Sequence, residues 1–172
     1  PRYLQQLYGL TNGMHHGRIW RLTASNSPPA QTVSLADATN TELPKALFTD
    51  MTWIQQTARR LLIERNATEA VPTIARLLLS GSANDATSIN AIHTLEGLGH
   101  DSIDTYNRLW AKASPAVRSE LLRVVDKRLA DNKGAIREAL LNSPDLPSDP
   151  FLLIQYALSL GEIGHNSAIE RL

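Results

Sequence analysis

From residue 50 onward the apolar positions of the chain fall on helical spacing. Between Asp50 and Leu79, Ile54, Ala58, Leu61 and Leu62 recur at i, i+4, i+7 and i+8, which puts them on one side of a helix. Val71, Ile74, Leu77 and Leu78 form a second stripe of the same kind. Two short amphipathic helices cannot bury both stripes against each other alone. Such a hairpin needs neighbours on its open faces, and the pattern predicts further copies.

The copies follow at a period of about thirty to thirty-five residues, as expected for two helices plus their turns. Asp50, Asn84 or Asp85, Ser114 and Asp149 each precede an apolar-periodic run. Ser114-Pro115 and Asp149-Pro150 join a capping residue to proline at the first helical position. The second and fourth copies match at an offset of 65: Ile89 falls on Ile154, Ile92 on Ala157, Leu95 on Leu160, Leu98 on Ile163, Gly99 on Gly164, and His100 on His165. At an offset of 32, Val71, Ile74, Leu77 and Leu78 fall on Ile103, Tyr106, Leu109 and Trp110. Glycine in Gly99-His100-Asp101-Ser102 and in Gly164-His165-Asn166-Ser167 ends one helix in the left-handed conformation, and Asp, Asn or Ser caps the next. A third copy, Ser114 to Leu141, carries Val117, Leu121, Val124 and Val125, then Ile136, Ala139 and Leu140, with a turn at Asn132-Lys133-Gly134. The reading is an all-α fold: a HEAT-like, armadillo-like α-solenoid of about four helical hairpins over residues 50–172.

The first 49 residues differ. Residues 1–16 give only a turn signal at Thr11-Asn12-Gly13. His16 to Ala24 alternates about Ile19, Trp20 and Leu22 and predicts a short β-strand whose sheet partners lie elsewhere. Residues 1–27 are therefore expected to be the end of a β-propeller-like domain. Residues 28–49 are read as a linker followed by a capping helix over Thr39 to Phe48, with Pro44 in its first turn and Leu43, Leu47 and Phe48 as the apolar edge.

Seventeen basic and seventeen acidic residues cancel, which removes the electrostatic footprint of a dedicated nucleic-acid binder. The absence of cysteine excludes disulfides, thiolate metal ligands and a C-x-x-C-H haem attachment within these residues. No apolar run is long enough to span a bilayer, and the first residues are neither a signal nor a transit peptide. A start on Pro1 and a helical pattern still running at Glu170-Arg171-Leu172 are expected of a fragment of a longer chain.

Candidate chemistry is sparse. His15-His16 beside Gly17 have the chemistry of half a metal site, but no acid or third histidine is nearby in sequence, so a structural role is favoured. His100 and His165 recur at equivalent turns, which fits turn stabilisation. Arg59, Arg60, Arg65, Arg118, Arg123, Lys127 and Arg128 could line a basic ridge. Glu64, Glu69, Glu120, Asp126 and Asp131 among them favour a solvated face of mixed sign. Trp53, Tyr106 and Trp110 are read as core or seam residues, and Glu96 with Glu162 as a carboxylate pair lacking a partner. Asn66-Ala67-Thr68 fits the glycosylation pattern, but the threonine is explained by a cap at that turn. No catalytic, cofactor-binding or metal-ligating residue is assigned.

HGRIWRL followed by a linker, LADATNTELPKALFTDMTWIQQTARRLLIER, AVPTIARLLL and INAIHTLEGLG resemble the C-terminal part of bacterial membrane-bound-dehydrogenase-like proteins. These are related to soluble glucose and sorbosone dehydrogenases. The resemblance covers nearly the whole chain and is most specific over residues 17–99. It implies a six-bladed propeller ending near Gly17 to Leu22, HEAT-like repeats opening near Trp53 to Leu62, and often a cytochrome c domain beyond. On that resemblance the parent is a quinoprotein-type sugar or alcohol oxidoreductase using PQQ and haem c, periplasmic or secreted. These residues would then be its structural and docking segment, with the propeller, the cytochrome or another protein as partner. A free-standing HEAT-type protein-interaction module is the alternative.

Overall fold

The computed structural model describes residues 2–9, 24–26, 33–100, 102–129, 135–142 and 146–163. The chain divides into two compact units, residues 1–33 and 34–172. In the first, the described element is a six-residue helix, α1 (Arg2–Leu7), where the sequence pattern had suggested no element. Arg, Leu and Gln are good helix formers, and so short a run shows no periodicity. Tyr3, Leu4, Leu7 and Tyr8 on and just after α1 are exposed. The strand expected over His16 to Ala24 lies outside the described residues except for Ala24, as does the turn at Thr11 to Gly13.

The second unit is helical throughout its described residues. Its elements are α2 (Leu43–Leu47), α3 (Thr52–Glu64), a 3₁₀ turn (Thr68–Ala70), α4 (Val71–Leu79), α5 (Asp85–Gly97), α6 (Ile103–Trp110), α7 (Pro115–Leu129), α8 (Ala135–Asn142) and α9 (Pro150–Ile163). Every described element is a helix, so the all-α class stands.

Four of the helix starts follow from the capping residues. Asn84 Oδ1 accepts from Thr87 N at 2.8 Å, Ser102 Oγ from Thr105 N at 3.4 Å, Ser114 Oγ from Val117 N at 3.3 Å, and Asp149 Oδ1 from Leu152 N at 2.8 Å. Asp50 does not cap: α3 starts from an extended Met51 with no side-chain cap. Ahead of α2, Glu42 accepts from both the backbone N–H and the hydroxyl of Thr39, at 2.8 Å each. These bonds hold the Glu42 carboxyl below its ordinary value.

Two helix ends share one device. At α5, His100 N donates to Leu95 O and Gly99 N to Glu96 O, with Gly99 at φ +69°. At α3, Ala67 N donates to Leu62 O and Asn66 N to Ile63 O, with Asn66 at φ 49°. Both are Schellman motifs. The glycosylation-like triplet is thus explained by Asn66 in the left-handed position. Thr68 makes no side-chain cap there, contrary to the sequence reading.

The helices lie in two rows. In one, α3, α5, α7 and α9 contact one another in chain order; in the other, α4, α6 and α8 do the same. The rows meet where the second helix of a pair touches the first helix of the next, α4 on α5, α6 on α7 and α8 on α9. Short α2 packs on α3 and reaches α5, burying Leu43 and Leu47. One continuous apolar cluster runs from Leu43 through Leu62, Ile74, Leu95, Tyr106, Leu121 and Ile136 to Leu160. Of the positions aligned at an offset of 32, Ile74 with Tyr106 and Leu78 with Trp110 are buried, whereas Leu77 is half-buried and its match Leu109 is buried.

Two further positions depart from the expected stripe. Trp53 is 55% exposed, because the core face of α3 runs through Ile54, Ala58 and Leu62 and leaves residue 53 on the far side. Ile154, aligned with the half-buried Ile89, is 61% exposed. Alignment on spacing does not reveal that Ile89 packs against the buried cluster while Ile154 does not.

Candidate functional site

The polar groups that sequence reading treated as a solvated face are instead joined across the first row of helices. Glu96 Oε2 on α5 lies 3.0 Å from His93 Nδ1, and His93 Nε2 lies 3.1 Å from Glu120 Oε2 on α7. Glu120 Oε1 then accepts from Arg123 Nη1 at 2.8 Å. Arg123 Nε donates to Gln155 Oε1 on α9 at 3.1 Å, and Gln155 Nε2 donates to Asp126 Oδ2 at 3.1 Å. The Ser159 hydroxyl donates to the other oxygen of Asp126. A single relay of seven side chains therefore crosses three helices.

Its direction is fixed by donor and acceptor type. Arg123 can only donate, so the Gln155 carbonyl faces it and the amide nitrogen is left to face Asp126. Gln155 and Ser159 lie one helical turn apart on α9, both buried, and present their polar ends to the same carboxylate. Burial pushes the Asp126 carboxyl above its ordinary value of 3.8. The hydrogen bond from Ser159 opposes this, nearby Glu162 adds to it, and Arg123 and Gln155 oppose it further.

A shorter polar link joins α3 to α5. Gln55 Nε2 donates to Thr87 Oγ1 at 2.8 Å and also to Thr49 O, and Arg59 Nη1 reaches Asn90 Oδ1 at 3.5 Å. The Nδ2 of Asn90 is buried with no acceptor among the described residues.

Ser159, Asp126 and His93 belong to one network but are not arranged for nucleophilic catalysis. Ser159 donates straight to the carboxylate, its side chain is fully buried, and His93 stands beyond Gln155, Arg123 and Glu120. The geometry instead suits fixing the register of neighbouring helices, since each donor has one acceptor in reach. Among the described residues, no group of three or more His, Asp or Glu could hold a metal ion.

Other sequence candidates are spread through the fold. His15, His16 and His165 lie outside the described residues. His100 Nε2 is 3.5 Å from Thr105 Oγ1, its carbonyl accepts from Tyr106 OH at 3.3 Å, and its ring meets Tyr106 edge-on at 6.4 Å, a turn-holding role. Among the described side chains, which do not include those of Lys127 and Arg128, the arginines make no single ridge. Arg60 faces Glu64 at 3.7 Å, and Arg65 binds Ala38 O at 2.6 Å and Ala36 O at 3.1 Å. Arg118 stacks 5.2 Å from the Trp110 ring centroid and donates to Trp110 O. Glu96 pairs with His93, while the charge of Glu162 is felt at Asp126, so the two carboxylates do not form a pair.

Sequence reading missed His93, Gln55, Gln155 and Ser159. A signal was present for the last two, the only non-aromatic polar side chains between Phe151 and Leu160. A cavity of about 220 Å³ opens beside α6 and α9, lined by Trp110, Arg118, Pro147, Leu152 and Tyr156 among others. It is mainly apolar and takes no part in the relay.

No protein-family model, curated protein or solved structure matches this chain.

Proposed function

We propose that the second unit is a HEAT-like α-solenoid serving as a rigid spacer or docking surface, without chemistry of its own. The observation that carries this reading is the pair of helix rows, in which each hairpin leans on the next and polar side chains are spent on stitching neighbours together. Stacked helices hold a separation that a flexible linker cannot.

The parent protein, on the resemblance of residues 17–99, is a quinoprotein-type sugar or alcohol dehydrogenase. Its cofactors would be PQQ in a propeller and haem c in an electron-accepting domain, in the periplasm or secreted. The solenoid would then set the distance between propeller and acceptor, with those neighbouring domains as its partners. Reading the genomic frame on both sides tests the parentage. The expected result is a series of Gly- and aromatic-punctuated strands upstream. A frame opening near Pro1 with no such strands would overturn it in favour of a free-standing interaction module.

A further inference from the structure

The cavity of about 220 Å³ beside α6 and α9 holds two opposite charges that do not meet. It opens where the end of α6, the first turns of α7 and α9, and Ala139 of α8 come together. Its walls are mainly apolar. Trp110 is buried, and Leu152 and Tyr156 lie about one turn apart on the buried side of α9. Leu146, which also lines it, is 52% exposed and leaves apolar surface open to solvent.

The two charges are Arg118 and Asp149. Each is anchored by the protein, and neither is neutralised by it. The Arg118 guanidinium lies over the Trp110 ring at 5.2 Å and spends its Nε–H on Trp110 O at 3.1 Å. Among the described residues its two Nη groups reach no acceptor. Asp149 Oδ1 caps α9 through Leu152 N at 2.8 Å, while Oδ2 has no donor among the described residues. The two side chains form no ion pair with each other, so more than 4.0 Å separates their charged atoms. Elsewhere on the unit opposite charges close up, as Arg60 does with Glu64 and Arg123 with Glu120.

We propose that this cavity binds a free α-amino acid with an apolar side chain, of the size of leucine or phenylalanine. Such a ligand carries a carboxylate and an ammonium group on one carbon. Its carboxylate accepts from the Nη groups of Arg118, its ammonium donates to Asp149 Oδ2, and its side chain lies against Trp110, Leu152 and Tyr156. The pair of charges selects this class. An anion alone would leave the Asp149 carboxylate unpaired beside it in a mainly apolar space, and a cation alone would leave Arg118 so. A volume below the about 300–1,000 Å³ of sites for drug-sized ligands suits a single amino acid rather than a longer peptide or a nucleotide. The inference goes beyond the spacer reading and does not rest on the proposed parentage.

Isothermal titration calorimetry of the purified 172-residue chain with L-leucine and with L-phenylalanine tests it. One-site binding of at least one of them at millimolar concentration or below is expected. For the tighter of the two, the analogue without its amino group and the analogue without its carboxyl group should each bind about tenfold or more weakly, the loss of one charge-assisted hydrogen-bonded contact. Asp149→Asn keeps an oxygen to cap Leu152 N and so keeps the fold, and should weaken binding by a similar factor. Arg118→Gln should do the same, with circular dichroism confirming that the helices remain. Arg76→Gln, at an exposed arginine in the cleft between α4 and α6, should leave binding unchanged. No binding of either amino acid, equal binding of either truncated analogue, undiminished binding by Asp149→Asn, or equal weakening by Arg76→Gln would each overturn the proposal.

Discussion

Replacing Leu62 by alanine separates the core side of α3 from its flank. Leu62 is 0% exposed and belongs to the cluster that joins α2 to the rows, whereas Leu61, adjacent in sequence and equally apolar, is only partly buried against that cluster. Removing a fully buried leucine side chain costs its transfer free energy plus a cavity contribution, together about 3–4 kcal/mol. Leu43, Leu47 and Ile74 are fully buried in the same cluster, and close packing there limits collapse into the space left behind. Leu61→Ala forfeits part of the transfer free energy and leaves little cavity, so about 1 kcal/mol is expected. For a unit of this size each kcal/mol is roughly 4 °C in Tm, giving a fall of about 12–16 °C against about 4 °C. Urea unfolding followed by circular dichroism checks the difference, and the slope of free energy against denaturant should be unchanged. Equal losses, or a greater loss for Leu61→Ala, would mean that α3 is rotated from the face described.

Three further perturbations test local features. As pH falls from neutral through the raised Asp126 value towards 3.8, the native state takes up a proton before the unfolded chain does, so wild type should gain stability relative to Asp126→Asn. A free-energy difference between the two that stays flat over that window would contradict the role of burial. Glu42 and Glu69, both held below 4.5 by hydrogen bonds from Thr39 and Asn40, act the opposite way, and their contribution is lost as pH falls from 4.5 through their lowered values. Asn66→Gly should preserve or slightly raise the melting temperature, while Asn66→Val should cost about 1–2 kcal/mol, because the backbone there is left-handed. Asn84→Ala should cost about 1 kcal/mol through loss of the cap on Thr87 N, read by thermal melting; no change would show that the α5 cap is idle.

The helical class and the core of the second unit were legible because burial follows spacing. Ile54, Ala58 and Leu62, then Ile74 and Leu78, then Val117, Leu121 and Val125 are buried as their periodicity requires. The caps at Asn84, Ser102, Ser114 and Asp149 were legible for a similar reason, since the chemistry of a helix start is local. Trp53 was misplaced because large aromatic size suggested burial, although its position on α3 lies off the stripe. The relay was illegible because it joins residues 27 to 33 apart, as in His93 with Glu120 and Asp126 with Ser159. Each looks like an ordinary surface charge or a core interruption until the helices are set side by side. The exposure of Ile154 was hidden by the same kind of non-local fact, whether a position packs against the buried cluster.

The stacking of α7 on α9 can be tested by a disulfide, and the chain contains no cysteine to confuse the result. Asp126 and Ser159 hydrogen-bond to each other from α7 and α9, so Asp126→Cys with Ser159→Cys places two thiols on facing positions of the two helices. Under mild oxidation the double variant should form an intramolecular bond quantitatively and independently of protein concentration, seen by mass spectrometry of tryptic fragments. A control pair, Trp53→Cys with Ser159→Cys, should stay reduced. Failure of the first pair to close while the protein remains helical, or closure of the control as readily, would contradict the row of helices on which the account depends.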